Sequence, residues 1–196
     1  MSGIEHSMAQ NNGPSSGGLL KKTVVMVGMM GAGKTAVGRA LAARLGVPFL
    51  DSDAEIVRAA NMSIPEIFER DGEAFFRDKE ARVIARLLEA EPGVLSTGGG
   101  AFLADRNRQA ISDKGVSVCL VAELDVLWMR VRHKDTRPLL RSADPYATLS
   151  GLYSDRMPIY ALADLKVVSD GETSIEAMVD RVLAALATRP DVLAEA

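Results

Sequence analysis

The spacing of apolar and polar positions changes period repeatedly along the chain, and each change marks an element. An unbroken apolar run over Thr23–Val27 predicts a strand buried on both faces. After the glycine-rich stretch that follows, Val37, Leu41 and Leu45 recur at helical spacing among good helix formers, and Gly46 predicts the stop. A short strand is predicted over 47–50, running into Asp51, Ser52 and Asp53. Two helical stretches come next, over 56–60 and from Ser63, which can cap, with Pro65 and Glu66 suited to a first turn. A longer helix is predicted over about 72–89. Pro92 and Gly93 then break the chain before a strand over Val94–Ser96 and three consecutive glycines, Gly98, Gly99 and Gly100. Beyond them the pattern predicts helix over Asp105–Lys114, strand over 117–121, helix over 124–132 and a loop of charges and prolines over 133–145. Helix over 146–163, strand over 165–168 and a last helix with Ile175, Met178, Val182 and Leu186 on one face complete the chain.

Five strands alternating with helices define an α/β class: a three-layer fold with a five-stranded parallel sheet, right-handed crossovers and helices on both faces. Ligands then belong at the carboxyl ends of the strands. Composition agrees, because a chain that is 47% apolar but only 5% aromatic must build its core from aliphatic side chains. At 196 residues one core is expected, with a single domain over 21–188, a disordered tail over 1–20 rich in Ser, Gly, Asn and Gln, and a C-terminal tail over 189–196. The first residues lack the pattern of a secretory signal, and no apolar stretch is long enough for a membrane span. A net charge of -3 and a pI near 5.5 supply no broad basic surface, so nucleic acid is not an expected partner. The single cysteine, Cys119, lies in an apolar run and reads as a small buried thiol; a cytoplasmic, reducing compartment and a monomer are the expectations.

The strongest local signal is Gly28-Met29-Met30-Gly31-Ala32-Gly33-Lys34-Thr35, a glycine, four residues, then Gly-Lys-Thr, set between a strand and a helix. Such a loop turns successive backbone N–H groups and a helix N-terminus toward phosphates. Its lysine reaches the β and γ phosphates, and its hydroxyl can coordinate Mg²⁺. The nucleotide-binding residues are therefore Gly31, Ala32, Gly33, Lys34, Thr35 and Ala36, and the ligand is a nucleoside triphosphate with Mg²⁺. A GTPase would also carry Asp-x-x-Gly after a strand and Asn-Lys-x-Asp; neither occurs.

Acidic residues at strand ends are the next question. Asp51 is the better candidate for holding Mg²⁺ beside Thr35, and Asp170 the weaker. Asp53, two residues further on, would repel the γ-phosphate without a task of its own; accepting the proton of an attacking hydroxyl is such a task, worth roughly 10²–10⁴ in rate. The alternative is that Asp53 merely caps the following helix. Arg77 stands among Asp78, Lys79, Glu80 and Arg82 and, taken alone, reads as a solvated helix charge.

Taken together, Gly31-Ala32-Gly33-Lys34-Thr35 with Gly38 and Leu41-Ala42, Asp51-Ser52-Asp53, Ile67-Phe68 with Gly72-Glu73 and Phe76-Arg77, Gly98-Gly99-Gly100, Arg137-Pro138-Leu139-Leu140, and Arg156 ahead of Tyr160 resemble the shikimate kinase family, of the adenylate-kinase-like branch of P-loop proteins. The resemblance spans 23–187. It implies transfer of the γ-phosphoryl of ATP to the 3-hydroxyl of shikimate. By it, Asp53, Arg77, Arg156 and the glycines Gly98, Gly99 and Gly100 bind shikimate, while Arg137 is the arginine of a mobile lid over about 133–145 and acts with Lys34 and Asp53 in catalysis. A carboxylate and ring hydroxyls suit planar guanidinium donors. Arg130 is a further candidate for nucleotide contact and Arg132 a weaker one, with adenine expected near 169–174. The rivals are a kinase of the same branch acting on gluconate or a nucleoside monophosphate, and a nucleotide-binding regulatory module without catalysis.

Overall fold

The sheet is built outward from its most apolar strand. That strand, β1 (Thr23–Val27), is buried at every position, and pairs in parallel with β3 (Val94–Ser96) on one side and β4 (Gly115–Ala122) on the other. At the edges β2 (Phe49–Asp51) pairs with β3 and β5 (Leu165–Ser169) with β4, so the order is β2-β3-β1-β4-β5 and every pairing is parallel. The computed structural model describes residues 20–133 and 140–194. Residues 134–139 of the expected lid and nearly all of the expected N-terminal tail thus lie outside the described residues.

Among the described residues seven α-helices accompany the strands: α1 (Lys34–Leu45), α2 (Ser52–Ala60), α3 (Ile64–Leu88), α4 (Asp105–Lys114), α5 (Leu124–Val131), α6 (Pro145–Tyr160) and, after the last strand, α7 (Ile175–Leu186). From β1 to β2 the chain steps one way across the sheet, and for each later strand it steps the other way. Right-handed connections therefore put α1 on one face and α3 to α6 on the opposite face; α7, after β5, packs on α1. The core is aliphatic, with Leu41, Ile84, Leu95, Leu120, Leu127 and Leu149 among its fully enclosed side chains. Cys119 is buried within it, and burial pushes its thiol up to about 11, as an inert core cysteine requires. Among the described residues no helix is long and apolar enough to cross a membrane.

Several boundaries differ from the sequence reading: α2 starts at Ser52 rather than 56, β4 spans Gly115–Ala122 rather than 117–121 and α6 ends at Tyr160 rather than 163, and three further differences have a local reason. The second strand starts at Phe49 rather than 47, because the Val47 N–H is spent closing the end of α1 on the Ala42 carbonyl and Pro48 has no N–H. The two helical stretches expected over 63–89 form one run, α3, bent sharply at Gly72, whose φ of 83° and ψ of 170° are not helical. Its start is the capping box that Ser63 and Glu66 imply, with the Ser63 N–H donating to the Glu66 carboxylate at 2.7 Å. The described part of the C-terminal tail is packed, since Val192 is buried and Leu193 bridges Leu20 across an antiparallel pair.

Candidate active site

The phosphate loop takes the shape its glycines allow. Gly28, Gly31 and Gly33 have φ of 133°, 81° and 96°, a region costly for any residue with a side chain. Gly33 precedes α1 and supplies no side-chain cap, which leaves the first-turn N–H groups of the helix facing outward as anion donors. Lys34 is largely buried, and its ammonium donates to the Gly28 and Met29 carbonyls at 2.8 and 2.9 Å. Its charge is thereby held along the inside of the loop. The loop forms the floor of a cavity of about 530 Å³, lined by residues 31–37 together with Asp51, Asp53, Thr97, Gly98 and Gly99. A volume of this size suits a nucleotide-sized ligand.

Oxygen donors gather where the first turn of α1 meets the ends of β2 and β3. The Thr35 hydroxyl lies 3.3 Å from that of Ser96, and Ser96 is in register with Asp51 on the neighbouring strand. A hard cation that keeps several waters and takes one or two protein oxygens fits this set. Among the described residues there is no cluster of three or more His, Cys, Asp or Glu that could hold a metal ion. Asp51 is also the N-cap of α2, its Oδ1 accepting from the Asp53 and Ala54 N–H groups at 3.0 and 3.1 Å. Capping is thus the task of Asp51, and the alternative in which Asp53 serves only as the cap is removed. Asp170, the weaker candidate for the metal, does not line the cavity. Its carboxylate accepts from the Thr173 hydroxyl and from the Thr173 and Glu172 N–H groups, with Arg181 beside it, and is lowered to about 2.

The acceptor side is organised around the three glycines that follow β3. A Cβ on Gly98 would lie 2.8 Å from Asp53 Oδ1, and one on Gly100 would lie 2.5 Å from Arg77 Nη2. Hydrogen in place of a side chain at these two positions therefore seats a carboxylate and a guanidinium against one short loop. Arg77 is far from a freely solvated charge. It donates to Glu80 at 2.9 Å and to Glu73 at 3.3 Å, and Glu80 is almost wholly buried. Burial works against the Arg77 charge, but the two carboxylates outweigh it and its pKa is raised. The Glu80 carboxyl is raised chiefly by burial, an effect that Arg77 opposes and the nearby Asp53 charge reinforces.

Arg156 reaches the same place from α6. One turn after it on that helix, the Tyr160 hydroxyl donates to the Gly99 carbonyl. Burial pushes the Tyr160 phenol up to about 12, while the nearby positive charges of Arg156 and Arg77 pull it down. Asp53, Arg77, the three glycines and Arg156, distant in sequence, are thus linked side by side. Arg137 lies outside the described residues.

At the other end of the cavity Arg130 donates to the Gly31 carbonyl at 3.2 Å and to the Ser169 hydroxyl at 3.1 Å. Ser169, Thr173, Ile175 and Met178 continue the lining, so the segment expected near adenine does border the cavity. Arg132 does not line it. Sequence reasoning missed Glu80, which it counted as part of a solvated charged run. Its position three residues after Arg77 on a helix was the available signal. It missed the Tyr160 contact altogether, for which no local signal exists.

Comparison with known proteins agrees with this geometry. The family model for shikimate kinase matches residues 30–187. A shikimate kinase of Ruegeria pomeroyi is 75% identical over 193 residues, 98% of each chain. One of Cereibacter sphaeroides is 68% identical over 174 residues, 89% of this chain and 87% of its own. Among solved structures, the shikimate kinase of Acinetobacter baumannii in complex with shikimate superposes with a TM-score of 0.84 at 35% identity, covering 89% of this chain and 98% of its own. With a family model matching residues 30–187 and relatives matching over nearly the whole length, around a phosphate loop and an acid and guanidinium seated on the glycine turn beside it, the chain belongs to the shikimate kinase family.

Proposed function

We propose that the chain transfers the γ-phosphoryl group of ATP to the 3-hydroxyl of shikimate, giving ADP and shikimate 3-phosphate, a step of aromatic amino acid biosynthesis. In this reading Asp53 orients the hydroxyl and accepts its proton as the oxygen lone pair forms the new bond to phosphorus. The bond from phosphorus to the β–γ bridging oxygen breaks, and its electron pair leaves on ADP, with no covalent enzyme intermediate. Lys34 and the N–H groups of the phosphate loop stabilise charge on the transferring group, joined by Arg137 from the lid. Thr35 and Asp51 would hold Mg²⁺, which when bound would supply further positive charge to the β and γ phosphates. Arg77, Arg156 and the turn of Gly98, Gly99 and Gly100 hold shikimate, with the guanidinium groups directed to its carboxylate. Arg130 and residues 169–178 border the nucleotide base. The enzyme works as a monomer in the cytoplasm.

The observation that carries this reading is the seating of the Asp53 carboxylate and the Arg77 guanidinium against Gly98 and Gly100, with Asp53 lining the same cavity as Lys34 and Thr35. A hydroxyl-bearing carboxylic acid held there faces the end of a triphosphate lying on the loop. The test is a coupled assay of ADP release with shikimate, gluconate and AMP as acceptors. Shikimate-dependent release is expected; turnover of gluconate or AMP without turnover of shikimate would overturn the assignment.

A further inference from the structure

Tyr160 is the largest of the fully enclosed side chains, and it grips the loop after β3 at two points. Its ring stacks on that of Phe102, with centroids 6.3 Å apart and planes inclined by 13°, and its hydroxyl donates to the Gly99 carbonyl. A phenylalanine would satisfy the packing. A buried hydroxyl is retained at a cost unless it is bonded, so the bond to Gly99 is the reason for tyrosine here. Gly99 stands between the glycine that makes room for Asp53 and the one that makes room for Arg77. There is no cis peptide bond among the described residues, so holding the Gly99 carbonyl toward Tyr160 turns the Gly100 N–H to the opposite side. This bond fixes the Gly99–Gly100 peptide, in a turn whose flanks are held by the Ala101 N–H donating to Gly98 and the Leu103 N–H donating to Gly100. The same residue ends α6, one turn beyond Arg156 on that helix.

We propose that Tyr160 is a positioning residue for the acceptor half of the site: its hydroxyl fixes the Gly98–Gly99–Gly100 turn against Asp53 and Arg77, and ties that turn to the helix carrying Arg156. The inference rests on the reading of this site as the shikimate-binding half. It makes Tyr160 a determinant of acceptor affinity although it need not touch the acceptor, and leaves the phosphate loop independent of it.

The test is steady-state kinetics of wild type and Tyr160→Phe with shikimate and ATP varied separately. Loss of this bond is expected to raise the KM for shikimate about tenfold, with the KM for ATP changed by less than about twofold. The double variant of Tyr160→Phe with Arg156→Lys is expected to raise the shikimate KM by less than the product of the two single effects, because both act on one unit. A lowered Tm with the shikimate KM unchanged, or an equal rise in both KM values, would reduce Tyr160 to a structural role and overturn the proposal. Should Tyr160→Phe fail to fold, wild-type protein carrying 3-fluorotyrosine keeps the question open to measurement. The Tyr160 fluorine resonance, assigned by elimination with Tyr146→Phe and Tyr153→Phe, is expected to move on adding shikimate and to hold still on adding ADP; no movement with shikimate would overturn the proposal. Wild type inactive toward shikimate would instead remove the functional reading beneath it, an outcome separate from all of these.

Discussion

The two ends of the cavity are made in opposite ways. The phosphate end is one stretch of chain, residues 28–36, whose shape follows from three glycines with positive φ and from the start of a helix. The acceptor end is assembled from α2, α3, the turn after β3 and α6, and no single segment of it has a distinctive shape. One end depends on local backbone geometry, the other on how the fold brings side chains together. Their energetics should separate accordingly: substitutions at the phosphate end should alter turnover with shikimate still bound, and substitutions at the acceptor end should alter shikimate affinity with ATP still bound.

The largest break in this comparison is expected from Lys34→Met. Loss of a buried charge at the transferring phosphoryl group should lower turnover by about 10²–10³-fold or more, while calorimetry finds shikimate affinity within about threefold of wild type. A parallel collapse of shikimate binding would show that the ends are not separable. Arg77→Lys comes next. It keeps a charge for Glu80 but removes the planar fork, and a rise of about tenfold in the KM for shikimate is expected with that for ATP unaffected; an unchanged shikimate KM would place Arg77 outside the acceptor grip.

Gly100→Ala sharpens the comparison further. Gly100 has φ of -101° and ψ of -12°, a conformation open to any residue, and the atoms an added Cβ would strike belong to the flexible end of Arg77. The shikimate KM is expected to rise about fivefold, on the scale of one weakened charge-assisted hydrogen bond, with Tm nearly unchanged. A Tm loss without a KM change would mean that this glycine serves packing alone.

The smallest effect is expected at Asp170, beside the base end of the cavity, where a carboxylate organises an exposed turn. Its pKa is lowered to about 2 from an ordinary 3.8, first by the Thr173 hydroxyl, then by the Thr173 N–H and Arg181. Because the folded value is depressed, its stabilisation is present above the ordinary value and is lost as the pH falls through about 2. The small Tm difference between wild type and Asp170→Ala should therefore narrow as the pH is lowered from 5 toward 2. A difference independent of pH would show that the ionised carboxylate contributes nothing to the turn.

The same contrast explains what was legible in the sequence. The strands, their parallel sheet and the phosphate loop follow from runs and motifs local to the chain, and Ser63 and Gly46 each set a boundary through their own backbone chemistry, whereas the strand order does not show in any local pattern. The acceptor end was legible only through resemblance, because nothing in the spacing of Asp53, Arg77 and Arg156 says that they meet. Arg77 and Glu80 looked like surface charges, since a charged run on a helix gives no sign of which face is buried. Tyr160 was invisible as a functional residue, its partner being a carbonyl 61 positions away.

The most direct test of the central claim, that a hydroxyl of shikimate is presented to ATP by Asp53, is shikimate-dependent turnover of Asp53→Asn measured beside ATP and shikimate titrations in the calorimeter. The amide keeps the shape and cannot accept the proton. Turnover is expected to fall by about 10²–10⁴-fold with ATP binding as in wild type; turnover close to wild type would contradict the account.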